Sequence, residues 1–390
     1  MPSANGHVLL IGCGAVGTVI ASHLAADARV HRLTLADVDE RLARSVAARL
    51  GAPAKVTTQA LNASDPAALE AALAGVEVVV QASLPRFNAA IQAACLSVGA
   101  NYIDLAADSI DPYAADGEWR ARGRIALIGM GEDPGLSNVM ARRSADGLDT
   151  VQSIRVRDGD TASSPDLAFL PLFSPETFLE ETLHVSRIWD EGRYRDVPPF
   201  GDGEVYDFPA PVGPQKVYSV DHEEVDSFPR FIGKGVQYVD FKLAMDDATV
   251  RTLQTLRDLR LLDRGTPEAP GPYGAIVKAL PRPADLAGKI DGVSVLVVET
   301  KGEKGGHPVI ETLSTMLSHR KASELYHVTA VAYLTGTPAA MAVLQMLGGT
   351  IRTPGVHPAE ALDPAPFFSM LRERGIVVRA RRTAEQELTG

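Results

Sequence analysis

A strand, a glycine-rich turn and a helix follow one another at the start of the chain, and this order constrains the fold more than any other feature. Val8-Leu9-Leu10-Ile11 is an apolar run of the kind a buried parallel strand needs. Gly12-Cys13-Gly14-Ala15-Val16-Gly17 follows at once, and Thr18 to Ala26 continue as an Ala-rich helix. A second strand, Arg32-Leu33-Thr34-Leu35-Ala36, ends at Asp37. An acid placed about 20 residues beyond such a turn is positioned to meet an adenosine ribose.

Each residue type has a physical task. Gly12 permits the tight turn, Gly14 lets a pyrophosphate approach the backbone, and Gly17 lets helix and strand pack closely. The free N–H groups and positive dipole end of the helix that follows face the phosphates, with Ala15 and Val16 as expected coenzyme contacts. Asp37 accepts hydrogen bonds from both ribose hydroxyls and repels a 2′-phosphate, which predicts NAD over NADP. Val38 beside it, and Ser83, Leu84 and Pro85 after a later strand, complete the expected coenzyme contacts.

Strand and helix patterns alternate through the first third of the chain. Lys55–Leu61, Val76–Ala82, Asn101–Leu105 and Arg124–Ile128 read as strands, with helices over 39–50, 65–74 and 88–98 between them. The predicted fold is α/β: a doubly wound parallel sheet over 1–137, then a second α+β domain of mostly antiparallel sheet over 138–330, for substrate binding and dimerisation. Strand candidates there are Val151–Arg157, Val239–Met245 and Val293–Thr300. Residues 331–390 are expected to return to the first domain. Within them Gly336-Thr337-Pro338 is read as breaking an apolar stretch, with a helix over Pro338–Leu347.

A net charge of −11 argues against non-specific binding to nucleic acid or anionic membranes. Only two cysteines occur, Cys13 and Cys95, which fits a reducing compartment. No signal peptide and no apolar run near the ~18 residues of a membrane helix is read, so a cytoplasmic protein is expected.

Open α/β sheets bind ligands at the carboxyl edge of their strands. Three segments should converge there: Ser83–Asn88, Asp104–Asp108 and Gly129–Asn138. Asn88 either positions a substrate near the nicotinamide or simply caps a helix. Arg86 either pairs with a substrate carboxylate or sits solvated in its loop. Asp104, Asp133 and more weakly Asp108 are candidates to orient an amine or relay a proton. In the second domain Arg230 or Lys242 can meet an α-carboxylate, and a buried Lys242 can act as a base. Asp221-His222-Glu223-Glu224 reads as polar and exposed, His327 lies on a strand pattern, and no metal site is expected.

These residues resemble the saccharopine dehydrogenase-like family, and within it the lysine 6-dehydrogenase branch. The resemblance rests on Gly12–Gly17, Leu35-Ala36-Asp37-Val38-Asp39, Phe87-Asn88, Ile103-Asp104-Leu105 and Pro134-Gly135. It extends to Phe173-Ser174-Pro175-Glu176, Gly355-Val356-His357-Pro358-Ala359-Glu360 and Arg374–Val378. It implies a Rossmann domain with an α/β partner domain, a homodimer, and NAD-dependent redox chemistry at a C–N bond of an amino acid or diamine. The lysine-like form of that chemistry is oxidative deamination to an imine or semialdehyde. The alternative is reductive condensation of an amine with a keto acid or aldehyde, as in saccharopine or carboxynorspermidine formation. An alternative of another class is a catalytically silent nucleotide-sensing regulator. The middle of the chain, Tyr218–Arg230 and Asp246–Asp263, departs from the lysine enzyme, which leaves the substrate open.

Overall fold

The computed structural model describes residues 5–51, 53–107, 111–167, 169–266 and 269–384. The early apolar runs become six strands: β1 (His7–Ile11), β2 (Arg32–Asp37), β3 (Val56–Ala60), β4 (Val78–Gln81), β5 (Asn101–Asp104) and β6 (Ile125–Ile128). They pair in parallel in the order β3-β2-β1-β4-β5-β6, and the strand Gly355–Pro358 adds in parallel beside β6. Every residue of β4 is buried, because a parallel sheet is covered on both faces. Leu9, Ile11, Val79, Ile91, Tyr102 and Trp119 belong to the core on one side of this sheet.

Strand order reverses between β1 and β4, so chain leaves the carboxyl edge in opposite directions there and opens a crevice. The turns after β1, β4, β5 and β6 all lie at that edge.

Eight further strands precede the return: β7 (Thr150–Asp160), β8 (Ser186–Asp190), β9 (Arg193–Val197), β10 (Glu204–Phe208), β11 (Gly213–Ser219), β12 (Tyr238–Ala244), β13 (Val293–Lys304) and β14 (His307–Ser318). Their sheet runs β10-β11-β12-β7-β13-β14 and ends on the strand Arg379–Ala384, with β8 and β9 attached to β12. Only β12 and β7 pair in parallel among these described strands. The mostly antiparallel second sheet expected from the sequence is present.

The chain divides into two compact units, Met1–Arg142 with Tyr333–Gly375, and Arg143–Ala332 with Ile376–Gly390. The C-terminal segment therefore splits: its helices and the strand Gly355–Pro358 join the first unit, and its final strand joins the second.

Three expectations need correction. The helix Ala330–Leu347 runs unbroken through Pro338. Tertiary contact outweighs the lost backbone hydrogen bond: the Cα of Gly336 packs so closely on the helix Ala15–Ala26 that a Cβ there would lie 2.8 Å from Val19. Thr337 also meets His23 at 3.0 Å. Because it is continuous, this helix is long and apolar enough to cross a membrane by length and composition, contrary to the sequence reading; 83% of it is buried within the protein, as in a core helix. His327 is not in a strand; it takes a left-handed conformation that ends the helix His319–Tyr326.

Candidate active site

In the first unit the turn after β1 shows the geometry that a dinucleotide requires. Gly12 has φ +100°, and a Cβ on it would strike the Ala82 carbonyl. A Cβ on Gly17 would strike the Gly12 carbonyl. A Cβ on Gly14 would meet nothing within 4 Å, so it would project into open space where a phosphate needs to sit. Gly14 is also the N-cap of the helix Ala15–Ala26, and no side chain caps it. The first-turn N–H groups of Ala15 and Val16 thus front an open cradle.

Asp37 ends β2 with its carboxylate fixed. Oδ2 accepts the Cys13 N–H at 2.8 Å and Oδ1 the Asp39 N–H at 2.9 Å. Val38 beside it is 77% exposed, a large apolar side chain offered to solvent. The nearby Arg41 is turned onto Asp39, at 2.9 and 2.8 Å.

At the end of β4, buried Gln81 accepts the Ser83 N–H and hydroxyl, and its Nε2 donates to the Leu84 carbonyl. Ser83 is exposed, Leu84 and Pro85 half-buried. Arg86 is exposed and lies over the Phe87 ring at 5.0 Å. Asn88 is not a helix cap; Phe87 takes that position. Asn88 is buried instead, donating to the Ala106 carbonyl at 2.7 Å and to Asp104 at 3.2 Å.

Asp104 is 1% exposed, and its carboxylate ties three segments together. It accepts the Gly129 N–H at 2.7 Å, the Tyr102 hydroxyl at 2.9 Å and the Asn88 amide. Asp133 is half-buried in the turn before Pro134, held by Gly131 N–H to the Pro134 carbonyl at 2.7 Å. Asn138 anchors that turn by accepting the Gly135 N–H and donating to Glu360 at 2.9 Å. Asp108 lies outside the described residues.

The second unit contains a cavity of about 450 Å³ that the sequence reading did not anticipate. Asp158, Asp160, Asp246 and Asp247 supply its acids, with Phe173 and Phe178 on an apolar wall. Asp158 and Asp160 alternate along β7 and so share one face. Asp246 caps the helix Asp247–Asp258, and Asp247 pairs with Lys216 at 2.8 Å.

Against Asp158 lies a buried cluster from the Asp221–Glu224 segment. His222 and Glu224 are buried, correcting the expectation of an exposed stretch. The imidazole stacks flat on Phe241, and its Nδ1 forms a short contact with Glu224. Burial by itself lowers the His222 pKa, but Glu224, Glu223 and Glu181 reverse this and raise it to about 10. Desolvation pushes Glu181 up to about 8, against the opposing pull of His222. Desolvation and the neighbouring Asp160 charge likewise raise Asp158. Two raised carboxyls, Asp158 and Glu181, thus lie near one imidazole whose pKa is raised as well. His222, Glu223 and Glu224 have ligand atoms close enough for a metal, and His222 Nδ1 already contacts Glu224.

Lys242 and Arg230 are not brought to this cavity. Lys242 is buried on the opposite face of β12 from Leu243, a cavity residue, and pairs with Asp202 at 3.1 Å and Glu204 at 3.5 Å. Arg230 is exposed, over the Phe231 ring at 5.1 Å. The acids on alternate residues in Arg157-Asp158-Gly159-Asp160 were the one sequence signal that pointed to the cavity.

Residues 8–127 match the family model of the saccharopine dehydrogenase NADP binding domain, and residues 131–376 that of the saccharopine dehydrogenase C-terminal domain. The chain belongs to the saccharopine dehydrogenase family. It is therefore an oxidoreductase of that family, and its first unit holds a NAD(P)-binding domain. Carboxynorspermidine synthase of Vibrio cholerae is 29% identical, with 95% of each chain covered. Carboxyaminopropylagmatine dehydrogenase of Synechocystis is 27% identical over 95% of this chain and 96% of that one. The fold matches saccharopine dehydrogenase (L-Glu forming) of Saccharomyces cerevisiae, with a TM-score of 0.72 at 17% identity over 97% and 99% of the two chains. It also matches homospermidine synthase of Legionella pneumophila in complex with NAD, with a TM-score of 0.72 at 14% identity over 97% and 92%.

Proposed function

We propose that this chain reductively joins an amine to an amino-acid-derived carbonyl, forming a carboxylated secondary amine of the polyamine class, with NADH as reductant. The observation that carries this reading is the acid-lined cavity bordered by Asp158, Asp160, Asp246 and Asp247. Both full-length relatives are named for carboxylated polyamines, which favours this condensation over the lysine-like oxidative deamination.

The chemistry divides into addition, dehydration and reduction. The amine nitrogen attacks the carbonyl carbon, giving a carbinolamine; loss of water leaves an iminium ion, and hydride addition to its carbon gives the secondary amine. NAD(P)H supplies the hydride when bound. Dehydration needs a proton on the departing oxygen, and Asp158, on the cavity wall with its carboxyl raised by desolvation, is the side chain placed to give one. The Asp160 carboxylate attracts the second, protonated nitrogen of a diamine. His222, paired with Glu224, limits how much negative charge the cavity accumulates. Gly14, Ala15 and Val16 hold the pyrophosphate; Asp37 and Val38 hold the adenosine, with Asp37 and the engaged Arg41 favouring NAD over NADP. Ser83, Leu84 and Pro85 are assigned to the nicotinamide half. Asn88, Asp104 and Asp133 are assigned to holding the sheet edge in shape.

The family resemblance supports a homodimer, and two buried free cysteines support a cytoplasmic setting. The test mixes the protein with NADH or NADPH, a short diamine or agmatine, and an amino-acid semialdehyde. Coenzyme oxidation only when amine and carbonyl are both present supports the reading. Reduction of NAD by lysine alone, with no condensation, overturns it in favour of oxidative deamination. Binding of NAD without turnover in either direction overturns it in favour of a sensor.

A further inference from the structure

Asp160 is held by a side chain that the reaction does not otherwise use. His319, fully buried, places Nε2 at 2.9 Å and 3.1 Å from the two carboxylate oxygens of Asp160. Its other ring nitrogen, Nδ1, accepts the Ala330 N–H at 3.2 Å. An imidazole nitrogen that accepts a backbone N–H carries no proton, so the ring proton is assigned to Nε2 and points at Asp160. The His319 backbone is fixed as well: its N–H donates to the Gly292 carbonyl at 3.0 Å.

We propose that His319 is the positioning residue for amine recognition, orienting the Asp160 carboxylate so that its free lone pairs face the cavity. This rests on the reading of the cavity as the amine site. The Ala162 N–H holds Asp160 from a second direction. Across the sheet Asp160 pairs with Ser294 of β13, which brings no charge. Asp158 from the same strand, Lys216 from β11, and Asp246 and Asp247 at the start of the helix Asp247–Asp258 are the titratable groups that share the cavity. Asp246 serves as a helix cap and Asp247 pairs with Lys216. Desolvation and the neighbouring Asp160 charge raise Asp158, and Asp160 is the carboxylate on this wall that His319 orients. A carboxylate free to rotate between Asp158 and the cavity would lose part of its attraction to an incoming ammonium, because both directionality and distance decide the strength of such a bond.

Two substitutions divide the ring's two contacts. In His319→Gln the side-chain amide reaches as far as Nε2 and retains a donor for Asp160. In His319→Asn the shorter amide reaches only as far as Nδ1, retaining a partner for Ala330 and removing the donor from Asp160. Calorimetric titration with agmatine and a short diamine, together with steady-state kinetics, reads both. His319→Asn is expected to weaken diamine binding and raise the amine KM about tenfold, with kcat within about threefold and NADH affinity unchanged. His319→Gln is expected to stay within about threefold of the parent protein in both. Equal diamine binding by His319→Asn and parent, or equal losses in His319→Asn and His319→Gln, overturns the proposal. Asp160→Asn separates the two levels: if it binds diamines as the parent does, the amine-site reading fails; if it loses them while His319→Asn does not, only the role of His319 fails. Should His319→Asn not fold, His319→Gln alone decides, because a diamine affinity reduced tenfold with its donor in place contradicts the assignment.

Discussion

His222 lies flat on Phe241, with ring centroids 3.6 Å apart and planes 3° from parallel, while Glu224 holds its Nδ1. The stack buries the ring and the carboxylates keep it charged. That combination predicts a pH-dependent stability. The His222 pKa is about 10 in the folded protein against 6.5 for the free side chain. A raised basic group contributes fully below the unfolded value and loses that contribution as pH climbs through the folded one. The melting temperature should therefore fall between pH 6.5 and 10, and Glu181, raised to about 8, pulls the same way from pH 4.5 upward. His222→Gln is expected to flatten the alkaline part of the profile; an unchanged slope in scanning calorimetry would count against the pairing.

Asp158, which lines the cavity, also bears on the proposed turnover. Desolvation and the neighbouring Asp160 charge raise its carboxyl, so the condensation rate should decline on the alkaline side. Asp158→Asn is expected to lower kcat by roughly 10²-fold and to remove that alkaline limb, in keeping with the usual worth of a positioned acid. A pH–rate profile whose shape survives the substitution would remove Asp158 from that role.

The glycine turn offers a paired test. Because a Cβ on Gly14 projects into open space, Gly14→Val should leave the melting temperature within about 2 °C and weaken coenzyme binding more than about tenfold. Gly17→Val drives its side chain into the Gly12 carbonyl and should destabilise the first unit itself. Thermal shift with and without NADH distinguishes the two.

Asp104 is expected to act on stability rather than on chemistry. Asp104→Ala leaves the Gly129 N–H, the Tyr102 hydroxyl and the Asn88 amide without their shared acceptor. The cost is about 1–3 kcal/mol for each buried group left unpaired, read by denaturant unfolding. The amine KM of the folded fraction should not move.

Much of the first unit could be read in the chain. Strand β4 begins with three valines and is buried throughout because both faces are covered, and Gly12, Gly17 and Asp37 announce themselves by spacing, since backbone constraints there are local. The second site was hidden for a physical reason. Asp158 and Asp160 share a face only once β7 is a strand, and Asp221-His222-Glu223-Glu224 looks exposed until Phe241, distant in sequence, supplies the ring that buries His222. Asn88 and Asp104 stand at the sheet edge where the sequence placed them, and the tertiary structure adds the buried hydrogen bonds that hold them.

The order of residues alone determined that a dinucleotide-binding sheet opens the chain, because close backbone packing at Gly12 and Gly17 admits no side chain. Tertiary structure alone decided which groups carry shifted pKa values. Burial and the proximity of charges brought together from β7, the helix Pro175–Leu183 and the Asp221–Glu224 segment set the ionisation of Asp158, Glu181 and His222, and no linear spacing encodes that desolvation.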